Sequence, residues 1–263
     1  MTSLQLPKIF EFAYFPKYDE AIKYLAETLS DREPWDFSDS RENKHAILRN
    51  YLEYYYRRLK DEAKIKFTAN NEYASFNTGL VTANQEEIFC LFERYQGKVP
   101  NSAPYYFKGF VKVSDARLLA GFGSDIPEPA NFFEKPDLLI LNPKYKIVPD
   151  IEHIINDNKD RFPLHLQRAD DSEMRRQLHG AIEDVTKKVR TNYKIAIPQY
   201  FGSKIQLLLP LCLTSGSPNP DLALVIDKIS GQDIYSAKTC LTLKMAYNNA
   251  RLIVKPQSDW LRP

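Results

Sequence analysis

The apolar positions of this chain change period along its length. Over residues 17–29, "KYDEAIKYLAETL", Ile22, Leu25, Ala26 and Leu29 recur at helical spacing and give a helix one apolar face. "SDREPWDFSDS" breaks the pattern. Its Ser, Asp and Pro residues predict a loop, with Trp35 and Phe37 pinning it to the body. A second helix is predicted over 43–62, where Leu48, Tyr51, Leu52, Tyr55 and Leu59 form the apolar stripe and Arg57, Arg58 and Lys60 the wet side.

Beyond residue 62 the period falls to two. "KIKFTA", "YASFNTGLVT", "EEIFCLFERY" and "YYFKGFVKV" read as successive strands, separated by turns at Asn70-Asn71, Ala83-Asn84 and "QGKVPNSAP". Spacing this short suits an antiparallel meander rather than crossover units. "DLLIL" at 137–141 predicts a further strand. Helical spacing returns at 150–160 and at 171–190, where Met174, Leu178, Ala181, Ile182, Val185 and Val189 share one stripe. "KIAIPQY", "KIQLLLPLCL", "DLALVID" and "AKTCLTL" then read as strands, and "KMAYNNARLIV" as a short final helix. No repeat and no low-complexity tract is visible. The expected fold is α+β: a helical N-terminal part (1–62) followed by a mixed, largely antiparallel sheet with packed helices (63–263), in one domain.

Composition narrows the classes. The chain has 263 residues, 43% of them apolar and 13% aromatic, which is that of a folded protein rather than a disordered one. The formal net charge is +2, so a basic surface would have to be a local patch. Cys90, Cys212 and Cys240 lie far apart, each in an apolar run, and read as buried free thiols in a reducing compartment. "MTSLQLPKIF" lacks the apolar centre of a signal peptide, and "IQLLLPLCL" is too short to span a bilayer. A soluble, cytoplasmic protein with no membrane partner is expected.

The chain carries no GxxxxGK[ST], CxxC, HExxH or GxSxG, and "GFGSDI" lacks the third glycine and the context of a dinucleotide site. His153 and Asp157 are four apart on a predicted helix, but two ligands do not define a metal site, and none is expected. What remains is a set of polar residues in apolar surroundings. Asn77 and Thr78 sit in a strand pattern beside Gly79, Asn158 and Arg161 at a helix end, Asn192, Lys194 and Gln199 between a helix and a strand, and Tyr247, Asn248, Asn249 and Arg251 near the C-terminus. Arginine offers a planar fork for phosphate or carboxylate, and Asn and Gln suit base edges and sugar hydroxyls. The same residues can instead serve the fold: Asn caps helix ends, Asn77-Thr78 satisfies a bulge, and Arg251 pairs with an internal carboxylate such as Asp227 or Asp150.

Together "ILRNYLEYYYRRLKDEAKI", "FNTGLVT", "NYKIAIPQY", "LLLPLCL", "PDLALVID" and "MAYNNARLIVKPQSDWL" resemble a domain of unknown function from bacteria and fungi that occurs beside OST-HTH (LOTUS) winged helices and cold-shock modules. The resemblance runs from about residue 40 to Leu261. The family pattern reads Tyr-Thr-Phe where this chain has Tyr54-Tyr55-Tyr56. The neighbouring modules bind RNA, so the resemblance implies work on or near RNA. Its recurring polar positions map to Asn77, Thr78, Arg161, Asn192, Gln199, Tyr247, Asn248, Asn249 and Arg251. It brings no established activity.

Three functions follow as expectations. The first is an RNA-associated domain that binds RNA or a nucleotide phosphate in a groove lined by Arg161, Lys194, Asn248 and Arg251, with aromatic rings stacking bases. The second is an enzyme acting on RNA ends or nucleotides by phosphoryl transfer or hydrolysis, with His153, Asp157 and Asp227 as candidate acids, bases or ligands. The third is a scaffold that docks RNA-processing proteins through aromatic area exposed on residues 40–62.

Overall fold

The computed structural model describes residues 8–37, 44–95, 103–217, 219–256 and 260–261. The chain divides into two compact units, Met1–Asn131 and Phe132–Pro263. The α+β class holds, with two mixed sheets of five strands rather than one sheet.

The first unit opens with α1 (Lys8–Phe12) and β1 (Ala13–Tyr14), then α2 (Tyr18–Tyr24), which runs on as a π-helical turn, Leu25–Leu29. The four apolar residues foreseen on this face, Ile22, Leu25, Ala26 and Leu29, are all buried. Next comes α3 (Ala46–Asp61), whose foreseen stripe is buried throughout. Its start is capped from ten residues upstream, where Asp36 Oδ1 accepts the Ala46 N–H at 3.1 Å. The helix start expected at residue 43 lies outside the described residues. Then follow β2 (Lys66–Phe67), β3 (Tyr73–Val81), β4 (Glu87–Arg94), β5 (Tyr105–Lys112) and α4 (Ala116–Phe122). Strands β2 to β5 form the expected antiparallel meander, and β1 adds to β5 in parallel. Residues 96–102 of the expected β4–β5 turn lie outside the described residues.

The second unit repeats this plan. Strand β6 (Lys146–Pro149) is followed by α5 (Ile151–Asn158), α6 (Leu164–Gln167) and α7 (Asp171–Thr191). A meander of β7 (Ile197–Phe201), β8 (Lys204–Leu211), β9 (Leu222–Lys228) and β10 (Ile234–Thr242) leads to α8 (Leu243–Ala250). The strand orders are β1-β5-β4-β3-β2 and β6-β10-β9-β8-β7, and in each the first strand joins the last strand of the meander in parallel. The shared order needs only matching element lengths and periods, so it leaves no repeat in the amino-acid sequence.

One expected strand is corrected. Residues 137–141 do not pair into a sheet. Pro136–Leu138 form a 3-10 turn, closed by Leu138 N–H to Lys135 O and Leu139 N–H to Pro136 O, both 3.0 Å. Proline at the turn's first position favours this local closure. The strand that completes the sheet edge is β6, which at four residues with none fully buried is too short to stand out in the sequence.

Each face of the second sheet has its own cover. Leu207, Leu209 and Leu211 of β8 and Leu222, Leu224 and Ile226 of β9 share a core with Ile154 and Ile155 of α5 and the α7 stripe. Side chains alternate along a strand, so Gln206 and Leu208 point the other way, with Gln199 and Ile197 opposite them in register. Helix α8 packs on β7, β9 and β10 and meets Gln199 on this second face.

Candidate functional site

The sequence-predicted polar residues sort into three settings. Asn77 and Thr78 belong to the first unit and are committed within it. Asn77 Nδ2 donates to Glu87 Oε1 at 3.0 Å and Oδ1 accepts the Gly79 N–H at 2.8 Å. Thr78 Oγ1 donates to Ile88 O at 2.7 Å. The β3–β4 register shifts between Asn77 and Val81, so these side chains replace ladder bonds lost at a bulge.

Arg161 is committed inside the second unit. Its Nη1 donates to Asn158 Oδ1 at 3.1 Å and to Cys240 O at 2.7 Å. Asn158 is buried, and its Oδ1 also accepts from Thr239 Oγ1 and the Cys240 N–H, each at 2.7 Å. The β9–β10 register shifts between Ala237 and Thr239, and this amide with its guanidinium satisfies the irregular backbone there.

The remaining residues lie around β7. Gln199 is buried, its Nε2 donating to Gln206 Oε1 at 3.0 Å and its Oε1 accepting from Asn249 Nδ2 at 3.2 Å. Tyr247 is buried in α8, while Asn248, Asn249 and Arg251 are half-buried. The Asn248 Oδ1 is buried without a donor among the described residues. The amide bridge ties α8 to β7 and so fixes where the chain leaves the helix.

That exit forms one wall of a groove of about 890 Å³. Val254, Lys255, Pro256 and Trp260 face Asn192, Tyr193, Lys194 and the start of β7, and Leu139 and Ile140 add an apolar side. The Asn192 Oδ1 accepts the Lys194 N–H at 3.1 Å and so caps the 3-10 turn Tyr193–Ile195. This leaves the Asn192 amide nitrogen as a donor. Trp260 Nε1 donates to Ile195 O at 3.1 Å, which holds the indole against the opposite wall. Tyr193 is 61% exposed. The last turn of α7 carries Lys188 and Arg190 immediately before this turn, and no acidic residue lies between 188 and 194.

The structure thus brings Asn192 and Lys194 into the groove, with Gln199 and Asn249 bracing it. Arg161 holds a bulge instead, and Asn248 and Arg251 do not line the groove. Tyr193, Lys255 and Trp260 went unforeseen. Tyr193, between Asn192 and Lys194, carried a readable signal as an aromatic between two polar residues at a helix end. Trp260 carried none. Among the other candidates, His153 Nδ1 lies 3.3 Å from Asp157 Oδ2 with both side chains exposed, and Asp227 lies 3.8 Å from Lys204. Among the described residues no group of three or more His, Cys, Asp or Glu is placed to hold a metal ion.

The sequence pattern of a known family, described as a domain of unknown function (DUF3825), matches residues 26–260. The chain belongs to the DUF3825 family. No curated protein and no solved structure matches this DUF3825 chain. The matched span takes in α3, both meanders, α8 and the whole groove, so the groove is part of the DUF3825 domain itself.

No helix among the described residues is long and apolar enough to cross a membrane.

Proposed function

We propose that the second unit binds RNA, or the phosphate of a nucleotide, in the groove between Asn192–Pro198 on one side and Val254, Lys255, Pro256 and Trp260 on the other. The observation that carries this reading is the composition of one concavity. Two lysines, an amide donor, an exposed tyrosine and an edge-anchored tryptophan line about 890 Å³. Lysine ammonium groups neutralise phosphates, rings stack on bases, and an amide donor reads a base or sugar acceptor. The basic end of α7 extends the positive potential toward the groove mouth.

Affinity then falls as salt rises. Lys194→Ala and Lys255→Ala each lower the slope of log K against log salt by about 1. Tyr193→Ala weakens binding about tenfold, the worth of one stacked base. Fluorescence anisotropy with labelled single-stranded RNA measures all three. Binding that ignores salt, or that survives the three substitutions unchanged, overturns the proposal. Incubating the same RNA and free nucleotides with divalent metals separates binding from turnover, since a binding module releases no product.

The docking alternative draws little from α3. Its aromatic stripe is spent inside the unit, and half-buried Tyr54 has the Arg57 guanidinium over its ring at 5.3 Å.

A further inference from the structure

The outer face of α7 carries a stripe of cations that the fold does not use. The helix packs its buried side on α5, β8 and the 3-10 turn that follows it. On the other side, at about 100° per residue, Arg175, His179, Thr186 and Arg190 fall within one arc of about 60°. Arg175, His179 and Arg190 are exposed, and their side chains have no ion pair and no hydrogen bond among the described residues. Arginines of the first unit behave otherwise: Arg49, Arg57, Arg58 and Arg117 each meet a carboxylate. The acidic residues of α7 are out of the way. Glu183, at the edge of the stripe, is held by Lys187 at 2.8 Å and Asp171 by Lys159 at 3.0 Å. Glu173 and Asp184 stand on the far side of the exposed arc. Thr186 donates its hydroxyl to Ile182 O at 2.6 Å, and its short side chain leaves the line from His179 to Arg190 open.

We propose that this stripe is a track for the phosphate backbone of a single-stranded RNA that enters the groove. The inference rests on the groove reading and deepens it: the partner is a strand several nucleotides long, not a free nucleotide. Arg190 stands two residues before Asn192, which lines the groove, so the stripe ends at its mouth. From Arg190 back to Arg175 the helix runs about 22 Å at 1.5 Å per residue. That length matches about six phosphates of a stacked strand at 3.4 Å each. Each guanidinium presents a planar fork to phosphate oxygens, and His179 offers a ring N–H. A free nucleotide in the groove would leave Arg175 and His179 unused. Two other occupants fit less well. A helix that lies on an anionic membrane inserts apolar side chains, and the exposed arc of α7 has none. An acidic protein surface needs a buried apolar anchor at its centre, which the same arc lacks. A phosphate backbone needs neither, because counterions released from it supply the affinity.

The test uses the full chain and fluorescein-labelled uridylate oligomers of about four and about twelve nucleotides, the first filling the groove alone and the second covering the track as well. The longer oligomer is expected to bind more tightly and with a steeper dependence on salt. Arg175→Gln is expected to weaken the longer oligomer about fivefold at about 0.1 M salt, the worth of one phosphate contact, and to leave the shorter one unchanged. Arg175→Lys keeps the charge and restores most of that loss. Lys194→Ala, in the groove, weakens both lengths. Arg175 is exposed, so these substitutions leave the fold intact, which circular dichroism checks. Equal affinity for the two lengths, or a folded Arg175→Gln that holds the longer oligomer as the parent does, overturns the track and leaves the groove. A parent chain that binds neither length removes the groove reading and the track with it. Phosphatidylserine vesicles that bind the parent and lose Arg175→Gln, while the longer oligomer is unaffected, overturn the track in favour of a membrane surface.

Discussion

Asn249 of α8 donates its amide to Gln199 of β7 across 3.2 Å, and Gln199 passes the chain on to Gln206 at 3.0 Å. Two short apolar elements are thus joined by a ladder of amides on one sheet face. The ladder sets the direction in which the chain leaves the helix, and Val254, Lys255 and Pro256 beyond it make a groove wall. Asn249→Ala leaves the buried Gln199 oxygen without its donor. The expected cost is about 1–3 kcal/mol in urea unfolding. On the proposed function, RNA affinity is expected to fall with it, because the wall loses its anchor. A variant with unchanged stability would show that the bridge does not hold α8.

Gly79 sits at φ +70, and a Cβ built there lies 2.4 Å from Tyr55 Oη and 2.6 Å from Tyr51 Oη. Neither ring can withdraw freely: Tyr51 Oη donates to Thr78 O at 2.9 Å, and Tyr55 Oη accepts the Ala130 N–H at 3.0 Å. Gly79→Ala therefore meets backbone strain and a steric clash together. A loss of roughly 2–4 kcal/mol is expected, read as a lower thermal midpoint.

Glu62 closes α3. Its carboxylate accepts the Asn131 N–H at 3.0 and 3.1 Å, pairs with Lys64 at 2.9 Å and lies against Arg58. Burial works against its charge, but the Asn131 N–H, Lys64 and Arg58 outweigh burial and hold its pKa below the ordinary 4.5. A carboxylate lowered on folding adds stability that is complete above its unfolded pKa and is lost as pH falls through the folded one. Glu62→Gln is expected to cost about 2 kcal/mol at neutral pH, as a charged hydrogen-bond set is weakened. The gap between the two proteins narrows as pH drops below about 4.5, where protonation weakens the parent too. Denaturant titrations at several pH values give both numbers.

Cys212 is exposed, whereas Cys90 and Cys240 are buried, which corrects the expectation of three buried thiols. Burial pushes the Cys90 thiol well above its usual pKa and that of Cys240 up to about 12. A thiol reagent at neutral pH should modify one cysteine in the native protein and all three after unfolding. Mass spectrometry of the labelled chain locates the sites. Rapid native labelling at Cys90 or Cys240 would contradict the burial.

Particular residues show how far the pattern reached. The α7 stripe, Met174 to Val189, is buried position for position, because a long amphipathic helix repeats its signal over several turns. Strands β3, β4, β8 and β9 were legible as apolar runs of seven to nine residues bounded by turn residues. The short edge strand β1, the edge strand β6 and helix α4 were not, since two to seven residues carry too little periodicity. "DLLIL" misled because an apolar run can serve a groove wall as well as a sheet. For the site, residue type marked Asn192 and Lys194 as usefully as Arg161 and Asn77. It could not tell a side chain facing solvent from one mending a bulge, because both need the same donors.

The amino-acid sequence by itself determined the local elements: where helical and strand periods run, which faces are apolar, and where polar groups interrupt them. These depend on neighbours a few residues apart. Only the tertiary structure decided that two units share one strand order, that Arg161 is spent on Cys240, and that Asn192, Lys194 and Trp260 line one groove. Those outcomes depend on which distant backbone groups are left unpaired once the sheets close. Hydrogen-bond demand of that kind is created by folding and has no period in the chain.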